Sequence, residues 1–267
     1  MVYKDDRNKL RKLQLIELDI LKEVDRICKK YHITYYMAEG SLLGAIRHNG
    51  FIPWDDDLDI MMLRKDYEHF LEVALLEINK NYEIQHSSTV KNYWSPFIKV
   101  RYLDNSEFSQ AHIRHLTNHN GPLLDIFPVD NVSKKDSFGQ HLQAIKIKLY
   151  RGMLGLKLYN KPRNIKSWIV YFLAKFYTVK SIHEKIDKTF KKYNDKTNKY
   201  LVNLASYYSY KKQTFPIKYY GKPRYVKFED MLVPVPKESK KILAKIYGDD
   251  YMKIPPLEKR ITKHHFD

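Results

Sequence analysis

An acidic cluster preceded by a Gly-Ser turn is the part of this 267-residue sequence best suited to chemistry. Asp57 and Asp59 are two residues apart. On an extended strand their carboxylates would point to the same face, about 6–7 Å apart at the Cα atoms. Such a pair suits a hard divalent cation, Mg²⁺ or Mn²⁺, which prefers oxygen ligands. Gly40 and Ser41 precede them at the start of a predicted helix, where backbone N–H groups can bind a phosphate. A phosphate cradle beside metal-binding carboxylates indicates a nucleotidyltransferase-type active site.

Asp125 supplies a third carboxylate within the otherwise apolar stretch 123–127. An unpaired charge inside an apolar strand is costly, so we expect Asp125 to complete the metal site or to act as a base. The alternative is a strand-end aspartate that forms a salt bridge or a cap. The roles of Asp55 and Asp56 are left undecided by the sequence. The pleat of a strand would send Asp56 to the opposite face and leave Asp55 beside the metal-binding pair.

The surrounding residues predict a mixed sheet with helices packed on it. Apolar residues recur at three- and four-residue steps over 8–30 and predict a helix with Asp6 as its N-cap. Further helices are predicted over residues 41–48 and 65–78, and strands over 33–37, 58–63, 97–103 and 122–127. Strands and helices that alternate irregularly are typical of the α+β class.

The second half of the chain has a different character. Residues 137–210 are predicted to be mainly helical, basic and rich in aromatics, with a break at 161–164. Two strand-like pieces follow, at 225–228 and 231–235, and then a helix over 237–247 that ends at Gly248. We therefore predict a catalytic core over 1–133 and a region 134–267 that completes the site. The boundary between them is approximate, and the alternative is that both form a single domain.

The charge and the cysteine content restrict the class of protein. The formal net charge of +17 calls for an anionic partner: nucleic acid, an anionic membrane surface or a phosphate-rich substrate. Cys28 is the only cysteine, which excludes an intramolecular disulfide and suits a reducing cytoplasm. The longest apolar run, 168–174, is shorter than the roughly 20 residues of a membrane span, and no signal-peptide pattern is visible. We expect a cytoplasmic enzyme.

Three other groups of residues have ligand-binding chemistry. The stretch 166–180 places aromatic and aliphatic residues between lysines, which is typical either of a membrane-surface helix or of an ordinary core helix. A quaternary ammonium ligand needs an aromatic cage, for which proximity to the motifs offers Trp54, Tyr93 and Trp94. Histidines spaced three and four residues apart could bind zinc or lie on a solvated surface: His112, His115 and His119.

The motifs together resemble those of the LicD family of phosphotransferases, which includes the fukutin-like enzymes. The resemblance is carried first by residues 39–59, Glu-Gly-Ser-Leu-Leu-Gly-Ala-Ile-Arg-His-Asn-Gly-Phe-Ile-Pro-Trp-Asp-Asp-Asp-Leu-Asp. Residues 124–130, Leu-Asp-Ile-Phe-Pro-Val-Asp, are similar to the second motif of the family. Residues 247–252 with 255–256 and 258–260 are similar to its C-terminal signature.

The resemblance implies a nucleotidyltransferase-like fold, a Mg²⁺ requirement and transfer of phosphocholine from CDP-choline. The acceptor would be a sugar hydroxyl of a lipid-linked glycan, such as a teichoic or lipoteichoic acid precursor or lipopolysaccharide, and CMP would leave. Fukutin-like relatives move ribitol phosphate instead, and glycerol phosphate is a further alternative. On the matching positions, Asp57 and Asp59 would hold the metal, and Asp125 would be the third carboxylate and the base. Gly40 and Ser41 would contact the donor phosphates. Three basic residues would help to hold phosphate charge: Arg47, Lys259 and Arg260.

Two readings from other classes remain open. An RNA-directed nucleotidyltransferase would use the basic surface to follow a phosphate backbone. No aromatic RNP sequence is visible, so we expect no nucleic acid partner. A non-catalytic adaptor would bind anionic membranes through 166–180 and would tolerate the loss of Asp57 and Asp59. The enzyme itself is expected to contact the inner membrane surface peripherally, because its acceptor is lipid-linked.

Overall fold

A computed structural model describes residues 2–103, 108, 121–132, 135–194 and 199–260. The three histidines considered for zinc, His112, His115 and His119, lie outside these residues. Across the described ranges, no helix combines the length and the apolar character needed to cross a bilayer.

Seven helices of the described residues include all those predicted. α1 begins ahead of Asp6, so the predicted cap at Asp6 is wrong: that residue lies inside the helix. The predicted break at 161–164 is confirmed, since Asn164 caps α5 in a capping box with Ser167. Gly248 follows α7 with a positive φ of 100°. The helices are α1 (Val2–Lys30), α2 (Glu39–Arg47), α3 (Arg64–Glu77), α4 (Phe138–Leu158), α5 (Ile165–Lys175), α6 (Val179–Phe190) and α7 (Ser239–Tyr247).

The strands form a mixed sheet, which confirms the α+β class. They are β1 (Tyr35–Met37), β2 (Asp59–Leu63), β3 (Tyr82–Gln85), β4 (Ile98–Tyr102), β5 (Leu123–Asn131), β6 (Tyr200–Val202), β7 (Thr214–Pro216), β8 (Arg224–Phe228) and β9 (Met231–Val235). The main order is β1-β2-β5-β4-β3, with β6 and β7 continuing from β5. β2 and β5 run parallel, and the other pairs are antiparallel. β8 and β9 form a separate hairpin.

The hydrophobic core surrounds the two parallel strands, β2 and β5. α1 packs on the sheet through a stripe of apolar residues spaced three and four apart, of which Ile20, Val24 and Ile27 are completely buried. Burial of each such side chain contributes roughly 1.5–3 kcal/mol to the free energy of folding. In the middle of β5, residues 123–130 are buried except for Asp125. Of the two carboxylates on β5, Asp130 is buried against Arg64, and Asp125 is the one that reaches partial exposure.

The region after residue 134 adds to the same sheet as the first half. β6 pairs with the end of β5 through Asp130 opposite Val202 and Asn131 opposite Leu201, and β7 pairs with β6. Three strands were absent from the sequence prediction: β3, β6 and β7. Each is three or four residues long, too short for a clear alternation of apolar and polar residues.

Candidate active site

The register of the sheet brings two predicted carboxylates and one lysine into a row. Asp59 on β2 lies opposite Asp125 on β5, and Asp125 lies opposite Lys99 on β4. Residues directly opposite across paired strands share a face of the sheet. Lys99 Nζ is 2.6 Å from Asp125 Oδ1, and both side chains are largely buried. Asp125 therefore lies in the middle of the row, with the Lys99 ammonium on one side and the Asp59 carboxylate on the other.

Asp59 is fixed by its backbone to the helix that precedes it. The Asp59 N–H donates to Ser41 Oγ at 2.8 Å, and the Ala38 N–H donates to the Asp59 carbonyl at 3.0 Å. The sequence prediction assigned Ser41 to the donor phosphates. In the structure, its buried hydroxyl oxygen accepts this hydrogen bond and so positions the start of β2.

Gly40 allows the acidic loop to approach the start of α2. A Cβ atom on Gly40 would lie 2.7 Å from Asp55 Oδ2, closer than real Cβ contacts allow. The carboxylates of Asp55, Asp56 and Asp57 each offer one oxygen, and these oxygens all lie within 4.8 Å of one another. Three oxygens at this spacing fit a hard divalent cation.

The tight acidic group differs from the predicted one. Asp57, Asp59 and Asp125 line the same cavity, but across the described ranges only Asp55, Asp56 and Asp57 reach the 4.8 Å spacing. The physical reason is that β2 begins at Asp59, so residues 55–58 form a loop without the alternation of a strand. The same fact overturns the expectation that the pleat would turn Asp56 away from its neighbours.

Negative charge is concentrated beneath the cavity. Burial raises the pKa of Asp59 well above its usual value, and the nearby Asp57 and Asp125 raise it further. Burial also raises the pKa of Asp125, while Lys99 acts in the opposite direction. Glu17, on α1, is completely buried, and burial followed by the charge of Asp57 raises its pKa well above the usual value. Such a group of acids is stabilised by a bound cation.

A cavity of about 890 Å³ opens above these carboxylates. Four other predicted residues line it: Gly40, Arg47, Trp54 and Lys259. The lining also includes four motif residues to which the sequence analysis assigned no role, Glu39, Tyr247, Asp250 and Tyr251. Three further lining residues lie outside the motifs: Tyr207, Tyr208 and Lys253. The size suits a drug-sized or nucleotide-sized ligand.

Arg47 and Arg260 attach the C-terminal segment to this cavity. Arg47 Nη1 donates to the carbonyls of Tyr251, at 2.8 Å, and Lys253, at 3.2 Å. The Arg260 guanidinium lies 5.3 Å from the centre of the Trp54 ring, and its Nε donates to the Pro255 carbonyl at 2.8 Å. The predicted phosphate helpers thus lie at one end of the cavity, with part of their bonding capacity used to hold the chain.

The structure does not bring Tyr93 and Trp94 to the cavity. Tyr93 is completely buried and its hydroxyl donates to the Phe97 carbonyl at 2.9 Å. Trp94 packs against the Tyr93 ring and against the Arg101 guanidinium. Of the three aromatic residues predicted to bind choline, Trp54 alone lines the cavity, because proximity in sequence did not fix which way the other two side chains face.

Sequence reasoning assigned no role to three charged residues at or beneath the site. Lys99 could have been found by the argument used for Asp125, since it is a charge inside an apolar strand. Glu39 directly precedes Gly40, and its Oε1 accepts a hydrogen bond from Gln213 Nε2 at 3.0 Å. Glu17 carried no signal, because one acidic residue in an amphipathic helix ordinarily faces water.

Carboxylates that face an open cavity suit a divalent cation, and backbone N–H groups at a helix start suit a phosphate. Residues 32–150 match a family model described as LicD/FKTN/FKRP, nucleotidyltransferase domain. These residues therefore form a LicD family domain, and the chain that carries it is a phosphotransferase.

Relatives cover the chain to different extents. The lipopolysaccharide cholinephosphotransferase LicD of Haemophilus influenzae is 29% identical over 261 residues, which is 96% of each chain. Human ribitol 5-phosphate transferase FKRP is 27% identical over 114 residues, 43% of this chain and 21% of that protein. An uncharacterized protein of Rickettsia typhi is 38% identical over 68 residues, 26% of this chain and 22% of its own.

Proposed function

We propose that this enzyme transfers phosphocholine from CDP-choline to a sugar hydroxyl of a cell-surface glycan precursor and releases CMP. The observation that carries the proposal is that Asp55, Asp57, Asp59 and Asp125 line one cavity. Lys99 lies opposite Asp125 in the sheet, and Asp56 completes the closely spaced oxygens of residues 55–57. The similarity over 96% of both chains to a lipopolysaccharide cholinephosphotransferase supports phosphocholine as the group transferred. A teichoic or lipoteichoic acid precursor is the acceptor implied by the family resemblance.

Mg²⁺, or Mn²⁺, would be held by Asp55, Asp56 and Asp57, with Asp59 next to them. The ion neutralises charge on the donor phosphates when it is bound. The fit rests on the spacing of the three oxygens. Burial, and after it the charge of Asp57, raises the pKa of Asp59, and a bound cation would relieve both effects. A nucleotidyltransferase-type fold is part of the same proposal.

Asp125 is the proposed general base. The new bond forms between the acceptor oxygen and phosphorus, the bond from phosphorus to the CMP oxygen breaks, and the acceptor proton passes to Asp125. Lys99, 2.6 Å away, favours the ionised form that can accept this proton. Arg47, Lys259 and Arg260 would hold the nucleotide end, and the N–H groups at Gly40 would face a donor phosphate.

The lining of the cavity supports choline as the head group. Trp54, Tyr207 and Tyr247 present aromatic rings close to carboxylates, and both kinds of group attract a quaternary ammonium. The similarity to the ribitol 5-phosphate transferase favours ribitol phosphate as the second candidate. Glycerol phosphate differs from ribitol phosphate only in the length of the polyol and would use the same phosphate contacts.

We also propose a peripheral contact between α5 and an anionic membrane that carries the acceptor. Ala174 is the buried residue of α5, whereas six large apolar side chains at the helix and its end are exposed: Ile165, Trp168, Ile169, Phe172, Leu173 and Phe176. This exposure argues against the alternative of an ordinary core helix. The exposed lysines Lys166, Lys175 and Lys180 lie along the same stretch and suit anionic headgroups.

The membrane contact is tested by co-sedimentation with vesicles of phosphatidylglycerol or of phosphatidylcholine. We expect binding to the anionic vesicles, and a loss of that binding in the double variant Phe172→Ser/Phe176→Ser. Leu76→Ser is the matched control, because Leu76 is 87% exposed on α3 and far from this helix in sequence. Equal binding by the double variant and the control would remove the proposal.

The donor is tested by thermal melting with Mg²⁺ and CDP-choline, CDP-ribitol, CDP-glycerol or CMP. Ligand at 100 times its Kd stabilises by about 2.7 kcal/mol, which raises the melting temperature by about 5–10 °C for a chain of this size. We expect the largest rise with CDP-choline, and only with metal present. A larger rise with CDP-ribitol would indicate ribitol phosphate as the group transferred. No rise with any CDP conjugate would contradict the proposed class of donor.

A further inference from the structure

A second cavity, of about 620 Å³, adjoins the candidate active site. The two cavities share Tyr207 and Tyr208 as lining residues. One wall of the second cavity is α4, with Lys148 and Arg151, and the other is the segment 203–210. We call it the tyrosine cavity. A ligand seated in it lies next to the cavity that holds the carboxylates.

The two cavities carry opposite charge. Carboxylates line the active-site cavity, whereas no Asp or Glu occurs among the described residues that line the tyrosine cavity. Lys148 and Arg151 give the tyrosine cavity a positive charge. Arg151 Nη1 donates to the backbone carbonyls of Ala205, at 3.0 Å, and Ser206, at 3.2 Å. The active-site cavity needs a cation to receive an anion, but the tyrosine cavity can attract one by itself.

The aromatic side chains of the tyrosine cavity offer flat surfaces to a ligand. Tyr207 is 84% exposed, and the Arg151 guanidinium lies 4.8 Å from the centre of its ring. The Tyr210 hydroxyl lies 3.3 Å from His141 Nδ1, which joins the two walls. A large exposed aromatic ring that a neighbour holds in place suits contact with the apolar face of a sugar.

Asn203 adds a polar group with unused capacity. Its Oδ1 accepts hydrogen bonds from the N–H groups of Ala205 and Ser206, both at 3.0 Å, which fixes the orientation of the amide. Its Nδ2 is buried and has no acceptor among the residues that the structure describes. An unmet buried donor costs free energy. Asn203 lines the cavity with Nδ2 below the accessible surface, so this residue shapes the wall and is not counted as a ligand contact.

We propose that the tyrosine cavity binds the acceptor, a glycan that carries phosphate or another anionic group, and presents its hydroxyl past Tyr207 to Asp125. The proposal rests on the proposed function, because it assumes a sugar acceptor. The donor already has positive side chains at the C-terminal end of the active-site cavity, namely Arg47 and Lys259. The acceptor must approach phosphorus from the side opposite the leaving group, so it needs an entry of its own.

The test compares two charge reversals on α4. Lys148→Glu alters a lining residue, and Lys146→Glu makes the same change on an exposed residue of the same helix that does not line the cavity. The probes are N,N′-diacetylchitobiose with and without a 6-phosphate, and binding is measured by titration calorimetry. We expect the phosphorylated disaccharide to bind about tenfold more weakly to Lys148→Glu, with no change for Lys146→Glu.

Three outcomes would overturn the proposal: no binding of the phosphorylated probe to the unaltered enzyme, equal weakening in both variants, or displacement of the probe by CDP-choline. The last would show that the cavity holds the nucleotide. The melting-temperature rise with CDP-choline is measured on the same samples and should be equal in all three proteins. Its absence from all of them would count against the donor class alone, so the two failures are distinguishable.

Discussion

Replacing Lys99 by Met removes the cation beside the proposed base and should reduce both stability and transfer. The Lys99 and Asp125 side chains are 11% and 15% exposed, and Nζ lies 2.6 Å from Oδ1. Removing one partner of a buried ion pair costs about 3–5 kcal/mol, because the other charge is left uncompensated. Taking 3 kcal/mol as a guide, the melting temperature should fall by about 6–12 °C.

The same change should move the pH dependence of transfer. Lys99 opposes the rise in the pKa of Asp125 that burial causes, so its loss raises that pKa further. A base with a higher pKa is protonated over more of the neutral range, so the acidic limb of the rate profile should shift to higher pH. Loss of a general base typically costs 100- to 10,000-fold, and we expect a fall of about 100-fold at pH 7 that higher pH partly restores.

The assay follows CMP release from CDP-choline between pH 5 and 9, together with thermal melting. Lys22→Met is the matched control, since Lys22 pairs with Asp230 at 2.7 Å but both side chains are exposed. That pair should contribute little to stability, because water and salt screen an ion pair between exposed side chains. A Lys99→Met enzyme with the pH profile and melting temperature of the unaltered protein would refute the role of Lys99.

Three further changes test the geometry of the acidic loop and of the residues beneath it. Gly40→Ala should displace the Asp55 carboxylate, because its Oδ2 would lie 2.7 Å from the new Cβ. We expect this variant to lose the Mg²⁺-dependent rise in melting temperature with CDP-choline. A normal rise would contradict the close approach of Asp55 to Gly40. Ser41→Ala leaves the buried Asp59 N–H unpaired, so urea unfolding should show a loss of about 1–3 kcal/mol, and an unchanged free energy of unfolding would show that the hydrogen bond is unimportant. Glu17→Gln removes a carboxyl whose pKa burial raises. The stability that such a group contributes is complete below its unfolded-state pKa and is lost as the pH rises through its folded-state pKa. The variant lacks this loss. Its melting temperature relative to that of the unaltered protein should therefore rise between acid and neutral pH. A difference that does not vary with pH would contradict a raised pKa.

The sequence predicted those parts of the fold that a local pattern determines. The strand that carries Asp125 was visible because an acidic residue interrupts an apolar run, and α5 was delimited by the break before Asn164. β6 was missed because three residues carry no period. Its strand character comes from pairing with Asp130 and Asn131, which lie far away in the sequence.

The candidate site was predicted at the level of residue types more than of roles. The motif around Gly40 and the acidic residues indicated phosphate chemistry, and the structure places these residues around one cavity. The orientation of Ser41 toward the Asp59 backbone and the burial of Tyr93 depend on tertiary packing, so no spacing argument could supply them. The pairing of Lys99 with Asp125 depends on strand register in the same way.

The central claim is that the carboxylates lining the active-site cavity carry out metal-assisted phosphocholine transfer. The most direct measurement is CMP release from CDP-choline in the presence of Mg²⁺, for the unaltered enzyme, Asp57→Asn and Asp59→Asn, with melting temperatures taken alongside. We expect metal-dependent release by the unaltered enzyme and none above background by either variant, while both variants still melt cooperatively. Near-normal release by either variant would contradict the claim.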